Sequence, residues 1–188
     1  MSPKYQDLSK FEMPINFRGR PSWHVQLWWA VQKLLFHPSP QVMYSWRNFL
    51  LRCFGAQIGK GVIIRPSASI VYPWKLKVGD YSWIGDDVVL YTLGEIDIGS
   101  HSVVSQKSYV CAGSHKIGSL SFQITNDRIV IEDECWIASD VFICPGVRVG
   151  YATIVAARST VTKDLPRETI AMGSPARVVG TRPVSDSA

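Results

Sequence analysis

Residues 131–161 read IEDECWIASDVFICPGVRVGYATIVAARSTV, and every sixth one (Ile131, Ile137, Ile143, Val149, Val155, Val161) is aliphatic. A helix returns its apolar residues every three to four positions and a half-buried strand every two, so neither produces this beat. Moving outward, the period holds at Ile58, Ile64 and Ile70, at Val78, Ile84 and Leu90, and at Ile98, Val104 and Val110. A fixed period marks a repeat architecture, and six residues mark a parallel β-helix with one flat face per hexad and three faces per coil. The competing arrangement, a β-sandwich with coincidental spacing, has no reason to show a period at fifteen positions.

Four positions after each aliphatic residue stands a small side chain: Val62, Ala68, Ser82, Val88, Ser102, Ser108, Ser114, Cys135, Val141, Val147, Thr153 and Ser159. The interior of a narrow prism admits little else. Trp74 and Leu165 break this rule. Gly59, Gly79, Gly85, Gly99 and Gly150 follow directly on aliphatic positions and are expected at corners, where a sharp turn needs unusual φ/ψ. The hexads group into five coils beginning at Ile58, Val78, Ile98, Ile131 and Val149, a rod ~24 Å tall at ~4.8 Å per strand. Stacked repeats need capping, and flat, partly apolar sides suggest an oligomer. The expected fold is an all-β solenoid of about five coils, with an N-terminal helical arm (1–57), a β-helix domain (58–166) with a protruding loop (116–128), and a C-terminal strand and tail (167–188).

In the arm, Ser22 is positioned to cap a helix over Trp23–Phe36 with Leu27, Trp28, Val31, Leu34 and Leu35 on one face. Ser39-Pro40 is positioned to cap a second, carrying Val42, Met43, Trp46, Phe49, Leu50 and Cys53 and stopping near Gly55. The arm holds seven Lys/Arg against Asp7 and Glu12, so the net charge of +5 over 188 residues resides there, as do four of the seven Trp. Two roles are open to it: a cap on the rod, or an interfacial anchor that sets Trp and basic residues against an anionic membrane. No aromatic-basic platform recurs along the rod, so nucleic acid is not an expected partner.

Met1 to Arg20 contains no apolar core of a cleaved signal, and no stretch approaches the ~20 apolar residues of a membrane span. The expected compartment is the cytoplasm, with the inner face of the membrane as the alternative site of work. Cys53, Cys111, Cys135 and Cys144 show neither metal-ligand spacing nor a disulfide framework. Cys135, on a small-residue position, is expected in the core. Thr181–Ala188 is a polar tail expected to be mobile.

The third coil ends at YVCAGSH, residues 109–115, after which Lys116–Arg128 has no hexad period. A loop thrown from a solenoid corner marks a binding face. His115 stands at its root, and a neutral imidazole there can take a proton from a hydroxyl or amine. Position alone leaves a solvent-exposed loop histidine equally open.

The protruding loop, the AGSH segment and the closing run WIASDVFICPGVRVG…AARSTVTKDLP…GSPARVV resemble the hexapeptide-repeat acyltransferases. DLSKFEMPINFRGR, SWRNFLLRCFGAQIGKGVIIRPS and YPWKLKVGDYSWIGDDVVLY are similar to the colanic acid (exopolysaccharide) biosynthesis acetyltransferases, over essentially the whole chain. The resemblance implies a left-handed β-helix, a homotrimer with active sites between subunits, and an O-acetyltransferase using acetyl-CoA on a sugar hydroxyl. It implies His115 as general base, Ser139 and Ala157 along the pantetheine channel, and Thr162, Lys163 and Arg177 near the nucleotide end, where cations suit phosphates. There are departures: WIA replaces the usual WIG, Arg158 enters the usual AAGS, and the acceptor-binding asparagine and aspartate of the galactoside enzymes have no match near Gly85–Leu93.

Three alternatives stand beside this reading. An N-acetyltransferase would act on an aminosugar nucleotide, and a non-catalytic scaffold would not bind CoA. A γ-class carbonic anhydrase needs three zinc-binding histidines, whereas only His101, expected at the surface, and His115 lie in the rod, so no metal is expected.

Overall fold

The computed structural model describes residues 4–184. Three parallel sheets run along the rod. Sheet 1 stacks Gln57–Ile58, Leu76–Val78, Ile96–Ile98, Ile129–Ile131 and Arg148–Val149. Sheet 2 stacks Ile63–Ile64, Trp83–Ile84, Val103–Val104, Trp136–Ile137, Ile154–Val155 and Thr169–Gly173; sheet 3 stacks Ser69–Ile70, Val89–Tyr91, Tyr109–Cys111, Phe142–Ile143 and Thr160–Val161. All fifteen periodic residues are buried, and they stack in register from coil to coil.

After the five coils a sixth begins. Leu165 bridges to Val149 and Thr169–Gly173 pairs with Ile154–Val155. Leu165 therefore opens a new coil on an aliphatic position rather than breaking the small-residue rule. The single C-terminal strand expected from the sequence is a hairpin, Thr169–Gly173 against Ala176–Thr181. The tail expected to be mobile overlaps this hairpin at Thr181, and residues 185–188 lie outside the described residues.

Small inward residues keep their polar groups paired between coils. Ser82 Oγ donates to the Gly99 carbonyl (2.6 Å) and accepts from the Ser102 N–H (3.0 Å). Ser102 Oγ donates to the Glu132 carbonyl (2.7 Å) and accepts from the Cys135 N–H (3.0 Å). A buried hydroxyl with both functions used costs little. Cys135 lies in this core, and burial pushes its thiol up to about 11. Ser114 departs from expectation: it is exposed, because the chain has already left the prism there.

The corner glycines need a different explanation from the one their spacing suggested. Left-handed backbone falls three positions after the aliphatic residue, on Tyr81, Asp87, His101, Lys107, Glu134, Asp140, Ala152 and Arg158. Gly59, Gly79, Gly85, Gly99 and Gly150 are not in that region. They are small because the next coil is close: a Cβ on Gly79 would lie 2.5 Å from the Ser100 nitrogen, and one on Gly99 would lie 2.3 Å from Asp133 Oδ1.

The arm folds into α1 (Ser22–Val31), a π-helical turn (Gln32–Phe36) and α2 (Tyr44–Cys53). Neither expected serine cap forms. Pro21 precedes α1 and Met43 precedes α2, both without a side-chain cap. Ser39 sits in the connecting turn, where its hydroxyl donates to the Phe36 carbonyl (2.6 Å) and accepts from Arg47 (2.8 Å). The buried faces also differ. Val25, Trp28 and Phe36 go inward, whereas Leu27, Leu34 and Leu35 face out; α2 buries Arg47, Asn48, Leu50 and Leu51 and exposes Phe49.

The arm closes the open edge of the first coil, satisfying backbone groups that have no next strand. Carbonyls of Ile58, Val62, Ile64 and Ile70 accept from Arg52, Asn48, Arg47 and Trp28 at 2.7–3.1 Å, and the Ile70 N–H donates to Gln32 Oε1 (2.8 Å). An unpaired strand edge is a liability, and here side chains stand in for the missing strand.

Candidate active site

The chain leaves sheet 3 after Cys111, on the edge it shares with sheet 1. Gly113 allows the exit, since a Cβ there would lie 2.6 Å from Leu93 Cδ1. Ser114–His115 then pairs antiparallel with Ile124–Thr125, and the loop rejoins the rod at Ile129. The expected protruding loop is thus a hairpin with His115 at its base.

The half-buried His115 ring lies against the Phe122 ring, with centroids 3.7 Å apart and planes within 17°. Its Nδ1 is 2.8 Å from the Phe122 carbonyl. A carbonyl can only accept, so in the neutral ring Nδ1 carries the hydrogen and Nε2 keeps its lone pair. Phe122 has φ +52, a left-handed conformation that a bulky residue adopts at a cost. Nothing in the side-chain pattern singled out Phe122, because its contribution is a backbone oxygen and a strained dihedral. The N-terminal segment reaches the same loop: the Asp7 N–H donates to the Leu120 carbonyl (2.7 Å).

The other expected site residues divide between two edges of sheet 3. Ser139 and Ala157 occupy the turns from sheet 2 into sheet 3 on successive coils, joined where the Arg158 N–H donates to the Ser139 carbonyl (3.0 Å). Arg158 is exposed at this corner, with Nε 3.4 Å from Asp140 Oδ2. Exposed Thr162 and Lys163 leave sheet 3 toward Leu165, on the same edge as His115 but two coils on. Arg177 is exposed in the C-terminal hairpin, opposite Met172. Within one rod, then, Ser139 joins Ala157, Thr162 joins Lys163, and His115 is across sheet 3 from the first pair. Among the described residues, no group of three or more His, Cys, Asp or Glu is placed to hold a metal ion.

The outer faces of the prism differ. Sheet 1 presents Gln57, Lys77, Asp97, Val130 and Arg148 in register. Sheet 2 presents Ile63, Trp83, Val103, Trp136 and Ile154. On sheet 3, Tyr91, Tyr109 and Phe142 form a ladder with centroids 5.9 and 5.5 Å apart. A depression of about 520 Å³ on sheet 2 is lined by Tyr81, Trp83, His101 and Val103, and the exposed His101 stacks on Tyr81.

No family model matches the chain. It is 59% identical over 177 residues to the Escherichia coli protein named as the colanic acid biosynthesis acetyltransferase WcaF, covering 94% of this chain and 97% of that one. It is 27% identical over 143 residues to a galactoside O-acetyltransferase of Lactococcus lactis, covering 73% and 68%. Among solved structures, a maltose O-acetyltransferase from Clostridium difficile superposes with a TM-score of 0.79 at 25% identity, over 86% of this chain and 88% of that one. A hexapeptide-repeat acetyltransferase from Vibrio cholerae, solved with acetyl coenzyme A, gives 0.77 at 26%, over 85% and 88%. The chain belongs to the colanic acid biosynthesis acetyltransferases, within the hexapeptide-repeat enzymes of left-handed β-helix fold.

Proposed function

We propose that the protein transfers an acetyl group from acetyl-CoA to a sugar hydroxyl during bacterial exopolysaccharide synthesis, with His115 as general base. The observation that carries this reading is the His115 ring, held by the Phe122 carbonyl so that Nε2 is the basic nitrogen. Nε2 takes the hydroxyl proton as the sugar oxygen attacks the thioester carbon. The carbon–sulfur bond then breaks, and the departing CoA sulfur takes the proton back from the imidazolium.

The working unit is a homotrimer. Sheets 2 and 3 have apolar outer faces suited to a neighbouring rod, and sheet 1 has a charged one suited to water. Because His115 and the Ser139–Ala157 corner lie on opposite edges of sheet 3, a groove using both takes one edge from each of two rods. Ser139 and Ala157 line its pantetheine stretch, and Thr162, Lys163 and Arg177 serve the phosphates. The reaction belongs in the cytoplasm, at the inner face of the membrane.

Thermal melting in the presence of acetyl-CoA tests the donor. At a hundredfold excess over Kd a ligand of the folded state stabilises by ~2.7 kcal/mol, and no shift at millimolar acetyl-CoA removes acyl transfer from this donor. His115→Ala is expected to keep the shift and lower kcat by ~10²-fold or more; unchanged turnover places the base elsewhere. Faster acetylation of an amine than of any hydroxyl sugar would reassign the enzyme to N-acetyl transfer.

A further inference from the structure

The helical arm has two apolar sides, and the rod uses only one. On α1, Val25 and Trp28 go inward, continued by Phe36, while Trp23 and Leu27, continued by Leu34, return every four to seven residues on the opposite side. Trp23 and Leu34 are each 67% exposed. The stripe continues onto α2, where the Trp46 indole donates to the Leu35 carbonyl (3.1 Å) and stacks on the exposed Phe49 (5.9 Å).

The charge along this stretch of the chain has one sign. From Met13 to Gly79, 67 residues, the chain contains no Asp or Glu and nine Lys/Arg. Of these, Arg20, Lys33, Arg52 and Lys60 are exposed. A second copy of the same face would bring like charges together. An anionic phospholipid surface brings the opposite charge, and it also accepts indole and aliphatic side chains at the headgroup boundary. Among the described residues no helix is long and apolar enough to cross a membrane, so the arm lies on the surface.

We infer that the outward face of the arm (Trp23, Leu27, Leu34, Leu35 and Phe49) is a docking surface for an anionic phospholipid bilayer. This gives a physical basis to the membrane location in the functional reading above and rests on it. The arm closes the first coil and His115 leaves the third, two strand spacings or ~10 Å further along the rod. Docking therefore holds the base at a fixed, short height above the lipid, where a saccharide attached to a membrane carrier can reach it.

The test is co-sedimentation of the full-length protein with sucrose-loaded vesicles, phosphatidylcholine alone or with 30% phosphatidylglycerol, at low and high salt. Binding is expected only to the anionic vesicles and is expected to fall with salt. The double variant Trp23→Ser/Leu34→Ser should bind at least about tenfold more weakly, and Arg20→Glu/Lys33→Glu should lose the preference for anionic lipid. Both variants should keep the wild-type melting temperature and its shift with acetyl-CoA. Absence of wild-type binding, or binding that neither variant changes, overturns the inference. So does a Trp23→Ser/Leu34→Ser variant that leaves vesicles unaffected but has a smaller mass by light scattering, since a second copy would then cover the face. An intact acetyl-CoA shift alongside failed vesicle binding would leave acyl transfer standing and remove only the docking surface.

Discussion

Replacing Arg47 with alanine removes a buried, four-bonded side chain that ties the arm to the rod. The guanidinium is fully buried, with Nε donating to the Ile64 carbonyl (2.7 Å), one terminal nitrogen to Ser39 Oγ and the Pro40 carbonyl (2.8 and 2.9 Å), and the other to the Gln41 carbonyl (2.6 Å). Ile64 lies in the first coil, so its carbonyl has no strand beyond it and would be left buried and unpaired, at ~1–3 kcal/mol. The Ser39–Gln41 turn is at the surface and can rehydrate, adding about 1 kcal/mol. Relief of the cost of burying the cation, which already lowers the Arg47 pKa, offsets part of this. With that offset the net loss is ~1.5–3 kcal/mol, and at ~2–4 °C per kcal/mol for a chain of this length the melting temperature should fall by ~3–12 °C. Circular dichroism melts of Arg47→Ala, Arg47→Lys and Arg52→Ala decide it. A lysine recovers only part of the fork, and Arg52, exposed and bonded to the Ile58 and Gly59 carbonyls at the rim where water can replace it, should cost about 1 kcal/mol. A melting temperature for Arg47→Ala within ~2 °C of wild type would refute the idea that these side chains close the rod.

Three further outcomes follow from the packing. Gly99→Ala sets a Cβ 2.3 Å from Asp133 Oδ1 and 2.5 Å from its backbone nitrogen, and overpacking of this kind should cost ~1–3 kcal/mol in urea unfolding, whereas Gly180→Ala, with nothing near its Cβ, should cost far less. Exposed Cys53 should react with iodoacetamide at pH 8 while Cys135, its thiol pushed up to about 11 by burial, reacts only on unfolding; mass spectrometry of labelled peptides reads both. Glu132 accepts from the Tyr151 N–H and from Arg148, which hold its carboxyl below the ordinary 4.5. Its stabilisation is complete above that value and lost as pH falls through the lower folded one, so Glu132→Gln should melt below wild type at pH 7 and converge with it in acid.

The rod was legible because its interior selects one residue in six, and no other arrangement of Ile58 through Val161 would leave that trace. The corner glycines were legible as positions but not in their cause, since crowding by the next coil depends on a neighbour a whole coil further along the chain. The arm was harder to read. With apolar residues on both sides of α1, the sequence could not say that Trp28 goes in and Leu34 out, and Ser39 resembled a helix cap until Arg47 claimed its hydroxyl. At the site, His115 stood out because the beat stops there. The Phe122 carbonyl could not, since every residue has one and only the hairpin decides which meets the imidazole.

Trp28 and Gln32 lie one helical turn apart, and they offer a donor and an acceptor to the carbonyl and N–H of the same residue, Ile70. A neighbouring β-strand would present the same pair, so a helix here impersonates a strand. The impersonation ends the stacking series: a foreign chain arriving at the first coil finds the Ile70 backbone already occupied and the rod unable to grow by one more layer. A molecule whose whole architecture is layer upon similar layer is thereby stopped at this end, and on sheet 3 the stop is made by two side chains that belong to no layer at all.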